Sequence, residues 1–215
     1  MTDRISRLSD FRRREIGLIS EMTWRDYSVL VPLVKAEEGL SVLFEERSSR
    51  LAQQPDEISF PGGAVEEGES FEEAAVRETA EELLIEGKRI RVFGPGDILI
   101  ASSSRKIHSF IGRIEDYDGS YSEEEVKEVF SVPLDRLMAM EPELYRNKLT
   151  IELDKNFPYR DIPNGLQYKW NHGDHVIYFY RWQGRVIWGI TAKILYSSLQ
   201  LIKEYRLDTL FEEGW

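Results

Sequence analysis

The sequence predicts an α/β layered domain, and three features carry that expectation. Short β-branched and apolar runs recur through the middle of the chain, two stretches have helical spacing, and glycine and proline punctuate the segments between them. Strands interleaved with a few helices bury their apolar faces by stacking in layers.

The bulk properties agree with a folded chain. With 215 residues, 41% of them apolar and 12% aromatic, it can bury a substantial core. No internal repeat is visible, so one domain is expected over residues 26–205, with a helical extension over 1–25 and a tail over 206–215. The absence of cysteine excludes disulfides, thiolate ligands and thiol nucleophiles, and fits a cytoplasmic setting. The apolar runs fall short of the roughly 20 residues of a membrane span, and the N-terminus has no apolar secretory core. A net charge of -11 argues against broad nucleic-acid binding, which needs clustered cations. An anionic substrate therefore requires metal ions or a local basic patch. Whether two copies pair as a homodimer is left open.

Taken in order, residues 4–19 place Ile5, Leu8, Phe11, Ile16 and Ile19 near helical spacing among arginines, an amphipathic helix. Residues 27–35 and 40–46 read as a hairpin turning at Glu37, Glu38 and Gly39. A polar loop over 47–57 leads to the extended residues 58–60 and then to Pro61, Gly62 and Gly63, which force a turn. Ser70 followed by Glu73 has the form of a capping box, so a helix is expected over 71–86, stopped by Gly87. Residues 89–93, 97–101 and 106–114 read as strands, and 117–125 as a polar loop. A strand over 128–132 turns at Pro133 into a short helix ending near Met140. Residues 145–175, with Pro158 and Pro163 among scattered aromatics, are expected to form a long loop or a hairpin insertion. Residues 176–182 and 185–188 flank Gln183 and Gly184 as a last hairpin, and 191–205 close the chain as a helix.

The chemically informative stretch holds Gly63, Glu69, Arg77, Glu78, Glu81 and Glu82. On a helix, Glu78, Glu81 and Glu82 share one face, within roughly 5 to 6 Å of one another. Hard divalent cations such as magnesium take oxygen ligands, and three carboxylates beside a turn with free carbonyls suit them. In isolation the same run reads more readily as a solvated helix face, with Arg77 pairing Glu73 or Glu81.

The spacing distinguishes the two. Gly63, Glu69, Arg77, Glu78, Glu81, Glu82 and Ile85 fall at the positions of the Nudix box, preceded by Phe60, Pro61 and Gly62, so the chain resembles the Nudix hydrolases. Thr79 stands where that box usually has an aliphatic residue, and Leu84 where it usually has glycine; Leu84 implies a helix running on toward Gly87. The resemblance implies an α/β/α sandwich with a mixed sheet and a catalytic loop-helix-loop. It also implies Mg2+ or Mn2+ as cofactor, held by Glu78, Glu82, Glu81 and the Gly63 carbonyl, with Glu82 central to catalysis. Arg77 and Glu69 would hold the carboxylates in place. Glu123, Glu124 and Glu125 form a loop candidate for the general base, among which Glu125, just before a Val-x-x-Val-Phe-x-Val-Pro-Leu stretch over 126–134, aligns best; a solvated acidic turn is the alternative.

Arg47, Ser48, Leu51 and the segment from Phe60 to Gly63 resemble the upstream motif of the coenzyme A pyrophosphatases within that family, and Ile187 to Leu195 resemble that group's closing segment. Ala52, Gln54 and Asp56 depart from the motif, where arginine, histidine and glycine are usual. The resemblance implies a small-molecule nucleotide diphosphate substrate, coenzyme A or an acyl derivative, with Arg47, Arg50 and Phe60 contacting it. Arg105 is a further cation available to a phosphate. ADP-ribose or NADH as substrate, or nucleotide binding without cleavage, are the competing expectations.

Overall fold

A computed structural model of the chain describes residues 23–101, 104–170 and 173–211; the expected helix over residues 4–19 and the end of the tail lie outside the described residues. The architecture is a mixed β-sheet with helices on both faces. Strand β1 (Arg25–Ala36) runs antiparallel to β2 (Gly39–Arg47) and parallel to β6 (Arg105–Ile114), which pairs in turn with β5 (Ile90–Ala101). Strand β7 (Val126–Pro133) lies antiparallel to β2.

One feature of the pairing positions everything that follows. β1 and β2 pair only beside their turn, from Leu33↔Val42 to Ala36↔Gly39. Beyond it they part, and the chain over residues 58–64 fills the opening. Its first half, β3 (Ile58–Ser59), pairs with β2 at Glu45 and Glu46; its second, β4 (Gly62–Ala64), pairs with β1 at Tyr27, Ser28 and Val29. The Pro61–Gly62 turn is thus wedged inside the sheet.

Strand alternation sorts the side chains into two cores. Val31, Leu33, Val42, Phe44, Ile107 and Ile111 face one side, where Leu195, Leu199 and Ile202 of α3 (Gly189–Glu204) and Leu134 and Leu137 of α2 (Leu134–Ala139) cover them. Leu30, Val34, Leu43, Phe110 and Ile114 face the other, packed against Ala75 and Leu83 of the segment containing α1 (Phe71–Glu82). At roughly 25 cal/mol per Å2 of buried apolar surface, each large side chain buried here contributes about 1.5–3 kcal/mol.

Several expectations are refined. The two strands expected over 89–93 and 97–101 are one, β5, because register shifts between Val92 and Gly94 and between Pro95 and Ile98 absorb the Gly-Pro-Gly interruption as bulges. Gly96 is required there, since a Cβ would lie 2.5 Å from Ser109 Oγ. Part of 145–175 is ordered as an insertion: β8 (Glu143–Leu149) pairs with β9 (Gly173–Trp182), which pairs with β10 (Arg185–Trp188), forming a separate three-stranded sheet. Among the described residues no helix is long and apolar enough to cross a membrane.

Helix α1 begins where expected. The Ser70 side chain accepts from the Glu73 backbone N–H, and the Glu73 carboxylate accepts from that of Ser70. Its end corrects the sequence: the helix stops at Glu82 instead of running toward Gly87. Leu84 takes the left-handed conformation at φ +52, and Ile85 N–H donates back to Ala80 O, so the terminus closes as it would with glycine there. Burial of Leu83 and Ile85 on the core enforces that turn, while Leu84 itself is 61% exposed. Thr79, wholly buried at the usual aliphatic position, satisfies its hydroxyl on Ala75 O at 2.7 Å.

Left-handed backbone costs a residue with a Cβ about 1 kcal/mol. Leu84→Gly is therefore expected to raise the thermal midpoint by roughly 2–4 °C, read by circular dichroism. A lowered midpoint would mean that the leucine side chain contributes more than its backbone strain costs.

Candidate active site

The wedge between β1 and β2 brings backbone and carboxylates together. Gly62 lies at φ +151, and a Cβ on it would fall 2.3 Å from Ser28 O and 2.6 Å from Val29 Cα. A Cβ on Gly63 would meet the Glu78 carboxylate, 2.3 Å from its Cδ. Gly62 excludes a side chain against fixed backbone, and at Gly63 one could enter only by displacing the Glu78 carboxylate, so the backbone meets α1 directly. Gly62 N–H donates to Glu82 Oε2 at 2.8 Å, so the wedge is tied to the last turn of the helix.

The start of α1 is fixed by the sheet. The Ser28 hydroxyl donates to Phe71 O at 2.5 Å, and the Phe71 ring stacks on His108 at 3.6 Å between centroids. His108 is itself held by Asp26, with Nε2 and Oδ1 2.9 Å apart. The helix end is tied to the 120–125 loop. Ser122 N–H donates to Glu82 O at 2.7 Å and the Ser120 hydroxyl to Leu83 O at 2.8 Å, satisfying carbonyls that a helix terminus leaves free. Ser48 N–H donates to Glu125 O at 2.8 Å, joining the loop to the end of β2.

Arg77 organises the outer acidic residues, of which Glu69 and Glu78 are partly buried and Glu81 is exposed. Its Nε and Nη2 donate to the two carboxylate oxygens of Glu69 at 3.1 and 2.8 Å, a forked pair. Nη1 donates to Glu78 at 2.8 Å and lies 3.5 Å from Glu81, and Nη2 also reaches Ala64 O at 3.2 Å. The forked bond raises the Arg77 pKa above its already high value and holds the Glu69 carboxyl below its ordinary range.

Glu78 and Glu82 both shift the opposite way from Glu69. Burial raises the Glu78 carboxyl even though Arg77 donates to it. Burial pushes Glu82, 2% exposed, well above the ordinary range, and the nearby charge of Glu45 pushes the same way. Glu45, 1% exposed, is pushed up to about 7 by burial, against the Ser59 hydroxyl and the Arg47 guanidinium. Buried carboxylates in contact with one another's fields are costly unless a cation compensates them.

The structure thus brings Gly63, Glu69, Arg77, Glu78, Glu81 and Glu82 into one cluster. Glu81 is exposed, as is Glu125, whose charge acts on both Glu45 and Glu78. Among the described residues no three acidic or histidine side chains are gathered closely enough to hold a metal ion as they stand, and Arg77 holds Glu69, Glu78 and Glu81 about its own guanidinium. The donors nevertheless fit a hard divalent cation. They are all oxygens, and the side-chain-free backbone at Gly63 presses directly against Glu78.

A cavity of about 640 Å3 opens beside this cluster. Arg47, Phe60, Gly62 and Gly63 line it together with Tyr27, Arg105 and Trp188. Arg50 is exposed and outside that lining. Arg105 is held over the Tyr27 ring, its guanidinium 5.4 Å from the centroid, by the side-chain oxygens of Gln53 and Gln54 at 2.8 and 2.9 Å.

Sequence reasoning missed Glu45. Its signal was a carboxylate two residues after Leu43, on the same apolar face of β2, a break in alternation that reads as a strand end. Its partners Ser59 and Glu82 lie far along the chain.

The NUDIX domain model matches residues 24–153, and the chain belongs to that family. It is a Nudix hydrolase, a class that generally uses divalent metals. The chain is 28% identical over 182 residues to Nudix hydrolase 3 of Caenorhabditis elegans, covering 81% of this chain and 72% of that protein. It is 28% identical over 165 residues to the peroxisomal coenzyme A diphosphatase NUDT7 of Mus musculus, covering 73% and 69%. A solved Nudix hydrolase from M. smegmatis, RenU, aligns at a TM-score of 0.45 and 19% identity, covering 52% of this chain and 72% of that one.

Two outcomes follow from this geometry. Gly63→Ala, whose backbone conformation alanine can adopt, is expected to displace the Glu78 carboxylate and lower turnover by roughly 100-fold or more, with the circular dichroism spectrum unchanged. The second concerns pH. An acid whose folded pKa is raised makes a stabilising contribution below its ordinary pKa that is lost as pH climbs through the folded value. In EDTA the wild-type midpoint should therefore decline between pH 5 and 7.5 more steeply than that of Glu45→Gln; parallel melting curves would show that Glu45 does not titrate there.

Proposed function

We propose that this hydrolase cleaves the diphosphate linkage of coenzyme A or an acyl-coenzyme A, giving 3',5'-ADP and 4'-phosphopantetheine or its acyl derivative. The observation that supports it best is the cavity lined by Arg47, Arg105 and aromatic rings that adjoins the glutamate cluster at Gly62 and Gly63. Its volume suits a small nucleotide ligand. The likeness to the mouse coenzyme A diphosphatase supports the same substrate class. Gln54, where the related upstream motif has histidine, anchors Arg105, so a basic group reaches the cavity from β6 although Ala52 supplies none.

Glu78 and Glu82, with Glu81 and the Gly63 carbonyl, would hold Mg2+ or Mn2+. Bound there, the cation supplies charge neutralisation for the diphosphate and a lowered pKa for the attacking water. Glu69 keeps the Arg77 guanidinium in place by its forked bond, so that Glu78 can leave Arg77 without the arginine swinging away. Gly62 N–H fixes one Glu82 oxygen and leaves the other to act as ligand. Glu125, on a loop secured at both ends to α1 and β2, takes the proton of the attacking water. The water oxygen bonds to phosphorus as the bridging P–O bond breaks, and the phosphate-bearing product leaves with that oxygen. Phe60, stacked on Phe44 at 5.0 Å, makes a rigid wall of the cavity.

The test is hydrolysis of coenzyme A, acetyl-coenzyme A, ADP-ribose and NADH with Mg2+ or Mn2+ and an EDTA control, resolved by chromatography. Metal-dependent release of 3',5'-ADP from coenzyme A is expected, and cleavage of ADP-ribose or NADH in its place would overturn the substrate assignment. Glu82→Gln should abolish most turnover while the fold survives. Arg105→Ala should raise KM for coenzyme A on the order of tenfold, and raise it less for dephospho-coenzyme A, which lacks the 3'-phosphate.

A further inference from the structure

Glu45 is used by nothing described so far. It lies on β2 two residues beyond Leu43, so strand alternation turns its side chain toward α1, where Leu43 packs in the core beneath that helix. One carboxylate oxygen, Oε1, accepts from the Ser59 hydroxyl at 2.8 Å. The other, Oε2, is buried and meets no hydrogen-bond partner among the described residues. Residue burial is nearly complete, at 1% exposure.

An orphaned buried carboxylate oxygen is costly if it stays unmet. Without a cation, burial favours the protonated acid, which lowers that cost without giving Oε2 a partner among the described residues. Arg47 acts on Glu45 through its field, without a hydrogen bond to it among the described residues. Its buried Nε is likewise unpartnered. The position of the orphaned oxygen is informative: the neighbouring charges are those of Glu82 and Glu125, the first tied to Gly62 and the second on the loop that closes over the helix end. Glu45 therefore approaches the cluster from the sheet, while Glu78, Glu81 and Glu82 approach it from the helix.

We propose that Glu45 is a further protein carboxylate of the divalent-cation site, meeting the cation or one of its waters through Oε2 and held in orientation by the Ser59 hydroxyl. It rests on the metal site proposed above and adds to the helix carboxylates a ligand from the strand. The Ser59 bond leaves Oε2 as the free oxygen, and the Glu45↔Ser59 register of β2 and β3 fixes that bond to the same wedge that carries Gly62 and Gly63. A divalent cation there would give Oε2 the partner it lacks among the described residues. Other groups around a metal that act through ligands commonly change its affinity 10- to 100-fold.

The experiment is a calorimetric titration of Mn2+ into the full chain, for wild type, Glu45→Gln, Glu45→Asp and Glu82→Gln, with thermal melts of each in EDTA. Glu45→Gln keeps the acceptor for Ser59 and removes the buried charge. It is expected to melt no lower than wild type in EDTA yet to bind Mn2+ about 10- to 100-fold more weakly. Glu45→Asp, which withdraws the carboxylate by one methylene, should also bind more weakly than wild type, and serves if the glutamine variant fails to fold. If both Glu45 variants bind Mn2+ within twofold of wild type while Glu82→Gln has lost it, Glu45 lies outside the site and the inference is wrong, with the helix ligands intact. If Glu82→Gln also binds normally, the metal site itself is misassigned and this inference goes with it.

Discussion

The structure depends on one close approach, the entry of the Pro61–Gly62–Gly63 backbone between two parting strands. Two residues without side chains are needed for it, one because Ser28 and Val29 leave no space, the other because the Glu78 carboxylate occupies it. The approach places a peptide N–H on Glu82 and a bare backbone against Glu78, and it closes the sheet that the β1–β2 hairpin leaves open. Sheet continuity and carboxylate placement are therefore the same feature. A change that frees one disturbs the other.

Electrostatics determine what that framework is suited to hold. The chain is acidic overall, and its densest acidic cluster sits where burial raises the carboxyls of Glu45, Glu78 and Glu82. Arg77 neutralises only the outer part, Glu69 foremost. For the inner pair we propose a cation from outside the chain, which would also let a diphosphate approach so negative a surface. Beyond the cluster the lining changes sign at Arg47 and Arg105. An anion with a diphosphate at one end and a further charged group at the other matches that gradient.

The box residues were readable in the sequence because helical spacing ties function to short distances along the chain: Arg77, Glu78, Glu81 and Glu82 lie on little more than a turn of α1, and Ser70 with Glu73 marks where it starts. The hairpin of β1 and β2 and the closing helix were readable for the same local reason. What escaped depends on distance. Leu84 looked like helix continuation because its left-handed turn is imposed by Leu83 and Ile85 entering the core, a tertiary demand that overrides propensity. Residues 143–149 are almost wholly exposed and show no buried face, so the strand they form is set by pairing with β9. Glu45 was hidden because its partners come from β3 and the end of α1, and a charge at a strand's end is ordinarily solvated.

The central claim is that the glutamates gathered beside Gly63 hold the divalent cations that make phosphoanhydride cleavage possible. The most direct measurement is anomalous diffraction at the manganese edge from crystals soaked in Mn2+. Peaks within about 2.0–2.6 Å of oxygens of Glu78 and Glu82 and of the Gly63 carbonyl, with Glu78 released from Arg77, are the expected result. Peaks confined to other surface carboxylates, with Glu78 still on Arg77 at saturating Mn2+, would contradict it.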